Sequence, residues 1–137
     1  MVMKALPCLQ EIQLGSYALS HCREVTLDNL PLLKSIRLDY WSLCGDGDNR
    51  GCVKEKCPSV FLNQLIMKDL PSLTHLDAKD GCFQDIGIIS LENVNLLKSE
   101  DIKVGRLSFF SVYCLHDSNS LALSSLIRQK SQELGRY

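Results

Sequence analysis

Residues 6–31 read LPCLQEIQLGSYALSHCREVTLDNLP, and the Leu-Pro pair that opens this stretch returns at its end, with Leu30. The same opening comes back at Leu70 and, in a weaker form, at Val94. The first and last of these steps have the same length, and the step from Leu30 to Leu70 is longer. A fixed period of about 20–50 residues is typical of repeat proteins. The longer step therefore indicates a 24-residue unit that carries a 16-residue insertion, over about 44–59.

Eight positions of the unit can be followed through four copies, and they are almost entirely hydrophobic. Every one of them except Glu100 is apolar, whereas only 45% of the whole chain is hydrophobic. Segments such as Ile12-Gln13-Leu14 alternate apolar and polar residues with the period of a β-strand. Each unit therefore predicts two short strands that face one interior. The first unit has Leu6, Leu9, Ile12, Leu14, Leu19, Cys22, Val25 and Leu27 in these columns, and the fourth has Val94, Leu97, Glu100, Ile102, Leu107, Phe110, Tyr113 and Leu115.

The weakest position in these columns is Glu100, which is charged. We expect the chain to shift by two residues relative to the repeat, so that Ile102 and Val104 occupy interior positions in place of Glu100. The shorter spacing from Gly105 to Leu115 is then expected to restore the register.

A ninth column of the repeat is polar and directly precedes each new opening. Asn and Asp side chains bond to nearby backbone groups, and a following Leu-Pro favours an extended or turn geometry. The column therefore predicts a recurrent corner of the chain. Its members are Asn29, Asp69, Asn93 and Asp117.

A corner in every unit and two strands between corners predict a repeat solenoid of mainly short parallel β-strands. The solenoid should have about four coils and cover residues 1–117. One such unit cannot bury its apolar face alone, so neighbouring coils must stack. The two ladders of strands are expected to run through Ile12, Ile36 and Leu76, and through Val25, Leu65 and Ile89.

Both ends of the chain depart from the regular repeat. Met1 and Met3 fall in columns of a second strand, so the chain begins inside a coil, either as a capping strand or as a piece of a longer array. Residues 118–137 are expected to form a helical cap or tail. Apolar residues recur there at helical spacing, from Ser120 as N-cap to Gly135 as C-cap. This helix would cover the last coil or, alternatively, bind a partner.

The first unit, LPxLxxIxLGxxALxxCxxVxLxNLP, resembles a leucine-rich repeat. It is most similar to the BspA-like class, whose pattern of Ala-Phe, two residues and Cys matches Ala18-Leu19 and Cys22. Where the common leucine-rich pattern has Asn, this chain has Tyr17, Trp41 and Gly81. The resemblance implies a curved solenoid that binds other proteins and has no catalytic activity.

Composition and charge argue against several classes of protein. Fifteen Lys+Arg nearly balance 16 Asp+Glu, so no basic field indicates a nucleic-acid partner. No stretch approaches the roughly 18 consecutive apolar residues that span a bilayer, which argues against membrane insertion. Seven cysteines, an odd number at irregular spacing, are typical of reduced thiols in a cytoplasmic protein. The first residues lack the apolar core of a secretory signal, which also favours the cytoplasm. A piece of a secreted protein would instead be extracellular.

The insertion from Cys44 to Pro58 contains residues typical of a calcium site and of a zinc site, but it does not meet the ligand requirements of either metal. A calcium loop would use Asp46 and Asp48, but Arg50 occupies a ligand position. Zinc needs four ligands in closely spaced pairs, whereas the three cysteines of the insertion are widely and unevenly spaced, with no close His. We therefore expect a polar surface loop, without a metal or other cofactor.

For nucleophilic catalysis the chain offers His21 beside Cys22, and His116 two residues after Cys114. Adjacent residues on a strand point to opposite faces, so sequence adjacency does not indicate a nucleophile and its base. Cys22 falls in an apolar column and is expected in the core. No GxSxG, phosphate-loop or HExxH motif occurs, so we expect that the protein is not an enzyme.

The best recognition candidates are aromatic. Tyr40 and Trp41, with Tyr17 at the position equivalent to Trp41, follow the first strand and lie outside the apolar columns. Exposed Trp and Tyr contribute disproportionately to interfaces. Alternatively, Trp41 packs beneath the insertion. The outward positions of the first strands are polar and mixed in charge, as in a protein-binding surface: Glu11, Gln13, Ser35, Arg37, His75 and Asp77.

These patterns predict a non-catalytic protein–protein interaction module, a recognition or scaffold solenoid within a longer array. Its partner would be another protein of unspecified identity. The predicted contact residues are Tyr17, Arg37, Tyr40, Trp41, His75 and Asp77. One alternative is a surface antigen or adhesin whose secretion signal lies outside this chain. Another is the substrate-receptor repeat of a ubiquitin ligase, which would need an F-box-like helical segment upstream.

Overall fold

Nine short strands and one α-helix make up the regular structure of the described residues. This computed structural model describes residues 1–44, 63–106, 108, 112 and 114–133. The predicted insertion loop and its metal hypotheses lie outside them, apart from Cys44. The elements are β1 (Val2–Lys4), β2 (Glu11–Leu14), β3 (Glu24–Asp28), β4 (Ser35–Leu38), β5 (Asn63–Lys68), β6 (His75–Ala78), β7 (Ile86–Glu92), a 3₁₀ turn (Ser99–Asp101), β8 (Ile102–Val104), β9 (Cys114–Ser118) and α1 (Leu121–Glu133).

Successive strands alternate between two sheets. The long sheet has the order β1-β3-β5-β7-β9, and the short sheet has the order β2-β4-β6-β8. All neighbouring strands pair in parallel, so each coil adds one strand to each sheet. The chain is therefore a parallel β-solenoid of about four turns, as predicted. The predicted ladders are both present, Ile12, Ile36 and Leu76 in the short sheet and Val25, Leu65 and Ile89 in the long sheet.

The spacing between the two ladders is the same in the third and fourth coils. The chain from Ile102 to Leu115 is as long as the chain from Leu76 to Ile89. Ile102 pairs with Leu76, which confirms the predicted shift away from Glu100. We expected the original register to be restored before Leu115, and this is wrong. Leu115 pairs with Ile89, so the two-residue shift is still present in β9. The shift persists because the segment between the two strands keeps its length from one coil to the next.

The polar corner, which follows β3, β5, β7 and β9 of the long sheet, is built on a left-handed backbone. Asn29, Asp69 and Asn93 have φ of 54°, 51° and 55°, a region that Asn and Asp tolerate better than most residues. Their backbone N–H groups donate to carbonyls of the following coil at 2.9–3.1 Å. In the last coil the left-handed residue is Asn119, with φ of 62°. The predicted Asp117 lies within β9 instead, because the shift moves the corner two residues along the chain.

The interior between the two sheets is apolar from one coil to the next. The Leu-Pro-x-Leu openings contribute to it through Leu30, Leu33, Leu70 and Leu73, which are fully buried. At the first coil, Leu6 and Leu19 are 41% and 42% exposed although they belong to interior columns. They stay exposed because no described coil packs on that side of them.

Helix α1 covers the last coil, which confirms the predicted C-terminal helix. Leu123 and Ile127 are buried in the common core. Ser120, just before the helix, accepts the backbone N–H of Val94 through its hydroxyl at 3.0 Å, and this bond ties the start of α1 to the fourth coil. In the described part of the chain, no helix has the length and apolarity required to span a bilayer.

Candidate protein-interaction site

The second corner of each coil follows the short sheet and has a different composition. Here the left-handed positions are occupied by Tyr17, Trp41 and Gly81, with φ of 61°, 59° and 78°. Their backbone N–H groups donate to carbonyls of the next coil at 2.8–3.0 Å, as at the polar corner. A backbone ladder thus continues through the positions where the common leucine-rich pattern has Asn. We call the side chains of Tyr17, Leu19, Tyr40 and Trp41 the aromatic corner.

The aromatic corner presents two exposed tyrosines on consecutive coils. The side chains of Tyr17 and Tyr40 are 65% and 46% exposed, and the backbone N–H of Tyr17 donates to the carbonyl of Tyr40 at 2.8 Å. Leu19 adds an exposed aliphatic side chain beside them. The two tyrosines lie outside the interior columns, and together with Leu19 they form a partly apolar surface.

Trp41 has a different environment from the two tyrosines. It is half-buried, and a Cβ added at Gly81 would overlap its indole ring. The ring therefore lies directly against the backbone of the third coil, where glycine leaves room for it. The alternative position for Trp41, beneath the insertion, concerns residues that the structure does not describe.

A charged cluster fixes Tyr40 in place. Asp39 Oδ1 accepts the backbone N–H of Tyr40 at 2.9 Å and lies 3.3 Å from Lys79 Nζ. Lys79 Nζ in turn lies 5.1 Å from the centre of the Tyr40 ring, within range of a cation–π interaction. The Tyr40 N–H, with a smaller contribution from Lys79, lowers the pKa of the Asp39 carboxyl. Asp39 therefore stays ionised at neutral pH and holds both partners.

A groove of about 200 Å³ adjoins the aromatic corner on the outer face of the short sheet. We call it the corner groove. A Cβ added at Gly15 would have no atom within 4 Å, so the groove is open at this point. Both signs of charge border it. Its lining residues are Gln13, Leu14, Gly15, Arg37, Leu38, Asp39, Asp77 and Lys79.

The structure brings most of the predicted contact residues together. Arg37 and Asp77 are in register on β4 and β6 and both line the corner groove. Arg37 Nε is 3.7 Å from Glu11 Oε1, but its side chain remains 65% exposed. His75 lies on the same outer face without lining the groove, and its Nε2 is 4.0 Å from Asp101 Oδ1.

Sequence reasoning missed Asp39, Lys79 and Gly15. They occupy one column of the repeat, the position that directly follows each short-sheet strand. The repeat places Asp39 beside Lys79 on consecutive coils, and this opposition of charge is the signal that could have identified the pair. Leu19 was assigned to an interior column, whose members Leu43 and Phe83 are buried. Leu19 itself is 42% exposed because no described coil packs against it.

Catalytic and metal-binding groups are not concentrated at this site. In the parts of the chain that the structure describes, no three His, Cys, Asp or Glu residues are grouped so as to hold a metal ion. Cys44, at the start of the insertion, is buried, and its Sγ lies 3.1 Å from the carbonyl oxygen of Gly81. Cys22 is half-buried against the core, as expected.

Comparison of the chain with protein-family models, with curated proteins and with solved structures finds no match.

Proposed function

We propose that this solenoid is a non-catalytic protein–protein interaction module, and that a partner protein binds the aromatic corner and the corner groove. The observation that carries the proposal is Tyr17, an aromatic side chain that is 65% exposed on a left-handed backbone with φ of 61°. Bulky residues in this conformation are held at a cost of about 1–2 kcal/mol, and such strain concentrates at functional sites.

The two corners of the coil support this interpretation by their contrast. At the polar corner the left-handed positions of Asn29, Asp69 and Asn93 use residues that suit the backbone. At the aromatic corner the same backbone requirement is met by Tyr17 and Trp41. Packing against Gly81 offsets the strain at Trp41, whereas the ring of Tyr17 is largely exposed, so we infer that Tyr17 is retained for a contact outside the solenoid.

Tyrosine is well suited to binding a protein surface. Its ring offers a large contact area with few rotatable bonds, and its hydroxyl can form a hydrogen bond at the edge of an interface. Tyr40 is already held by Asp39 and Lys79, so little conformational entropy is lost when a partner covers it. The tyrosines supply the anchor, and Arg37 and Asp77 supply a polar rim.

The charges of the outer faces favour a protein partner over nucleic acid. On the long sheet, Lys4 lies 3.9 Å from Asp28 and Lys68 lies 3.5 Å from Glu92, so opposite charges alternate along the array. Arg37 is likewise near Glu11 on the short sheet. Such a surface has no single-sign field to attract a phosphate backbone.

We also propose that the chain belongs to the leucine-rich repeats and acts in the cytoplasm. The Leu-Pro openings, whose leucines Leu30 and Leu70 are fully buried, support the class. The thiols of Cys8, Cys22, Cys82 and Cys114, which are not in disulfide bonds, are compatible with a reducing compartment.

A photocrosslinking amino acid at position 17 tests the proposed interface in cells that express the protein. A specific partner should crosslink from position 17 and not from a control position, His116, on the outer face of the other sheet. An excess of the unmodified protein should compete this crosslink away, whereas a Tyr17→Asn, Tyr40→Ser double variant should compete poorly. Equal competition by both proteins, or equal crosslinking from both positions, would refute the proposed interface.

A further inference from the structure

A cysteine and a histidine meet on the outer face of the long sheet, away from the aromatic corner. Cys114 and His116 lie two residues apart on β9, and strand geometry places such residues on the same face. Cys114 Sγ is 3.1 Å from His116 Nε2. Leu115, between them, points into the interior and pairs with Ile89. The alternation of side chains along a strand therefore brings Cys114 and His116 together instead of separating them.

The position of the pair leaves it accessible from solvent. β9 is an edge strand of the long sheet, Cys114 is half-buried and His116 is exposed. A neutral imidazole with its proton on Nδ1 can accept the thiol proton at Nε2, which converts Cys114 into the nucleophilic thiolate. The geometry is therefore that of a thiol beside its own base.

The other described cysteines lack this combination. Cys44 and Cys82 are buried, and burial raises the pKa of the Cys82 thiol to about 11. Cys22 is half-buried, and its Sγ lies 3.1 Å from the N-terminal ammonium of Met1 and 3.2 Å from the carbonyl oxygen of Glu24, with no hydrogen bond to a histidine of the described residues. Cys8 is exposed, and in the described structure no side-chain base contacts it.

A groove of about 570 Å³ opens beside His116, between the long sheet and α1. Two cations and two carboxylates line it: Lys68 is paired with Glu92 at 3.5 Å, Asp117 accepts a hydrogen bond from Ser124, and Arg128 is exposed on α1. Cys114 adjoins this groove through His116 and does not itself line it. Arg128 forms no ion pair with any described residue. A carboxylate of a small ligand could therefore pair with its guanidinium while the ligand lies against His116.

We propose that Cys114 is a modification site that forms mixed disulfides with small, carboxylate-bearing disulfides, with His116 as the base. In the reaction, Cys114 Sγ passes its proton to His116 Nε2 and attacks one sulfur of the ligand disulfide. A new S–S bond forms, the ligand's own S–S bond breaks, and the departing thiolate takes up the proton. The site is independent of the proposed protein interface, since it lies on the other sheet.

Timed reaction of the reduced 137-residue chain with glutathione disulfide tests the proposal. Peptide mass spectrometry measures the extent of modification at each of the seven cysteines separately. Cys114 should be modified about tenfold faster than Cys8, although Cys8 is the more exposed thiol. This first measurement uses the unmutated chain, so it does not depend on the folding of any variant.

Three variants then separate the roles of the residues. His116→Gln should reduce the rate at Cys114 to that of Cys8, whereas His75→Gln, at an exposed histidine of the short sheet, should leave it unchanged. Arg128→Gln should slow the reaction with glutathione disulfide but not alkylation of Cys114 by neutral iodoacetamide. If Cys114 reacts no faster than Cys8, or if His116→Gln has no effect in a folded protein, the proposal is wrong.

Discussion

Tyr17 and Trp41 occupy the same left-handed position on consecutive coils, but their side chains have different surroundings. Tyr17 is largely exposed, whereas the indole of Trp41 lies against Gly81. The backbone strain is the same in kind at both residues, while packing compensates for it only at Trp41. At the residue scale, Tyr17 is therefore a position where stability and binding are expected to conflict.

Replacing Tyr17 should make this conflict measurable. Tyr17→Asn is expected to raise the free energy of unfolding by about 1 kcal/mol, because Asn tolerates the left-handed backbone and little packing is lost. Denaturant melts would measure the change. Tyr40→Asn is the matched control, since Tyr40 is also exposed but has no positive φ, and it should give no gain. A Tyr17→Asn protein that is less stable than the parent would contradict the strain argument.

Trp41 should contribute to partner binding and should contribute less to stability than Ile36. Trp41→Ala is expected to weaken partner binding by about 2 kcal/mol or more. It should also destabilise the fold less than Ile36→Ala, because Ile36 is 2% exposed in the central ladder and Trp41 is only half-buried. Melts and binding titrations of both variants decide the matter. Equal destabilisation with unchanged binding per folded molecule would assign Trp41 to packing alone.

At the scale of elements, the last coil and the helix depend on each other. α1 covers the fourth coil through Leu123 and Ile127, and Ser124 Oγ donates to Asp117 Oδ2 of β9 at 2.8 Å. Asp117 occupies an inward register position opposite Leu91, where an apolar residue would otherwise be expected. The helix thus supplies both an apolar cover and a hydrogen bond for the end of the solenoid.

Removing one buried side chain from α1 should destabilise the whole domain. Ile127→Ala is expected to lower the free energy of unfolding by about 2–4 kcal/mol, because Ile127 is fully buried against the last coil. Leu121→Ala provides the control on the same helix, since Leu121 is 74% exposed and should cost little. Similar effects of the two substitutions in thermal or denaturant melts would mean that α1 does not close the core.

At the scale of the whole molecule, each strand pairs only with strands of the neighbouring coils. The long sheet places β5 and β7 in its interior and β1 at an edge, where Val2 and Lys4 are exposed. Stability in such arrays is close to a sum of unit and interface contributions, so it differs along the chain.

Amide hydrogen exchange should reveal this gradient. Protection is expected to be highest in β5 and β7, which have paired strands on both sides and buried side chains such as Leu65 and Ile89. It should be lowest in β1, which pairs with β3 alone. Mass spectrometry of exchanged peptides would measure the rates. Exchange from β1 as slow as from β5 would indicate that the whole array opens as one unit.

The period of the sequence determined most of the architecture. The recurrence of Leu-Pro and the apolar columns predicted both ladders in the correct register, from Ile12 to Leu76 and from Val25 to Ile89. This is possible because which face a strand residue occupies, and where a coil repeats, depend on local spacing. The exposed tyrosines were identified for the same reason, as aromatic residues outside the apolar columns.

The tertiary structure alone decided which side chains of different coils meet. The contact of Trp41 with Gly81, the cluster of Asp39, Tyr40 and Lys79, and the persistence of the shift into β9 all depend on how stacked coils align. The left-handed corners at Tyr17 and Trp41 also contradict what these residues prefer locally. A one-dimensional pattern specifies the face and the period of each residue. The distances between coils are set by packing and by the corner geometry, which act only once the chain has folded.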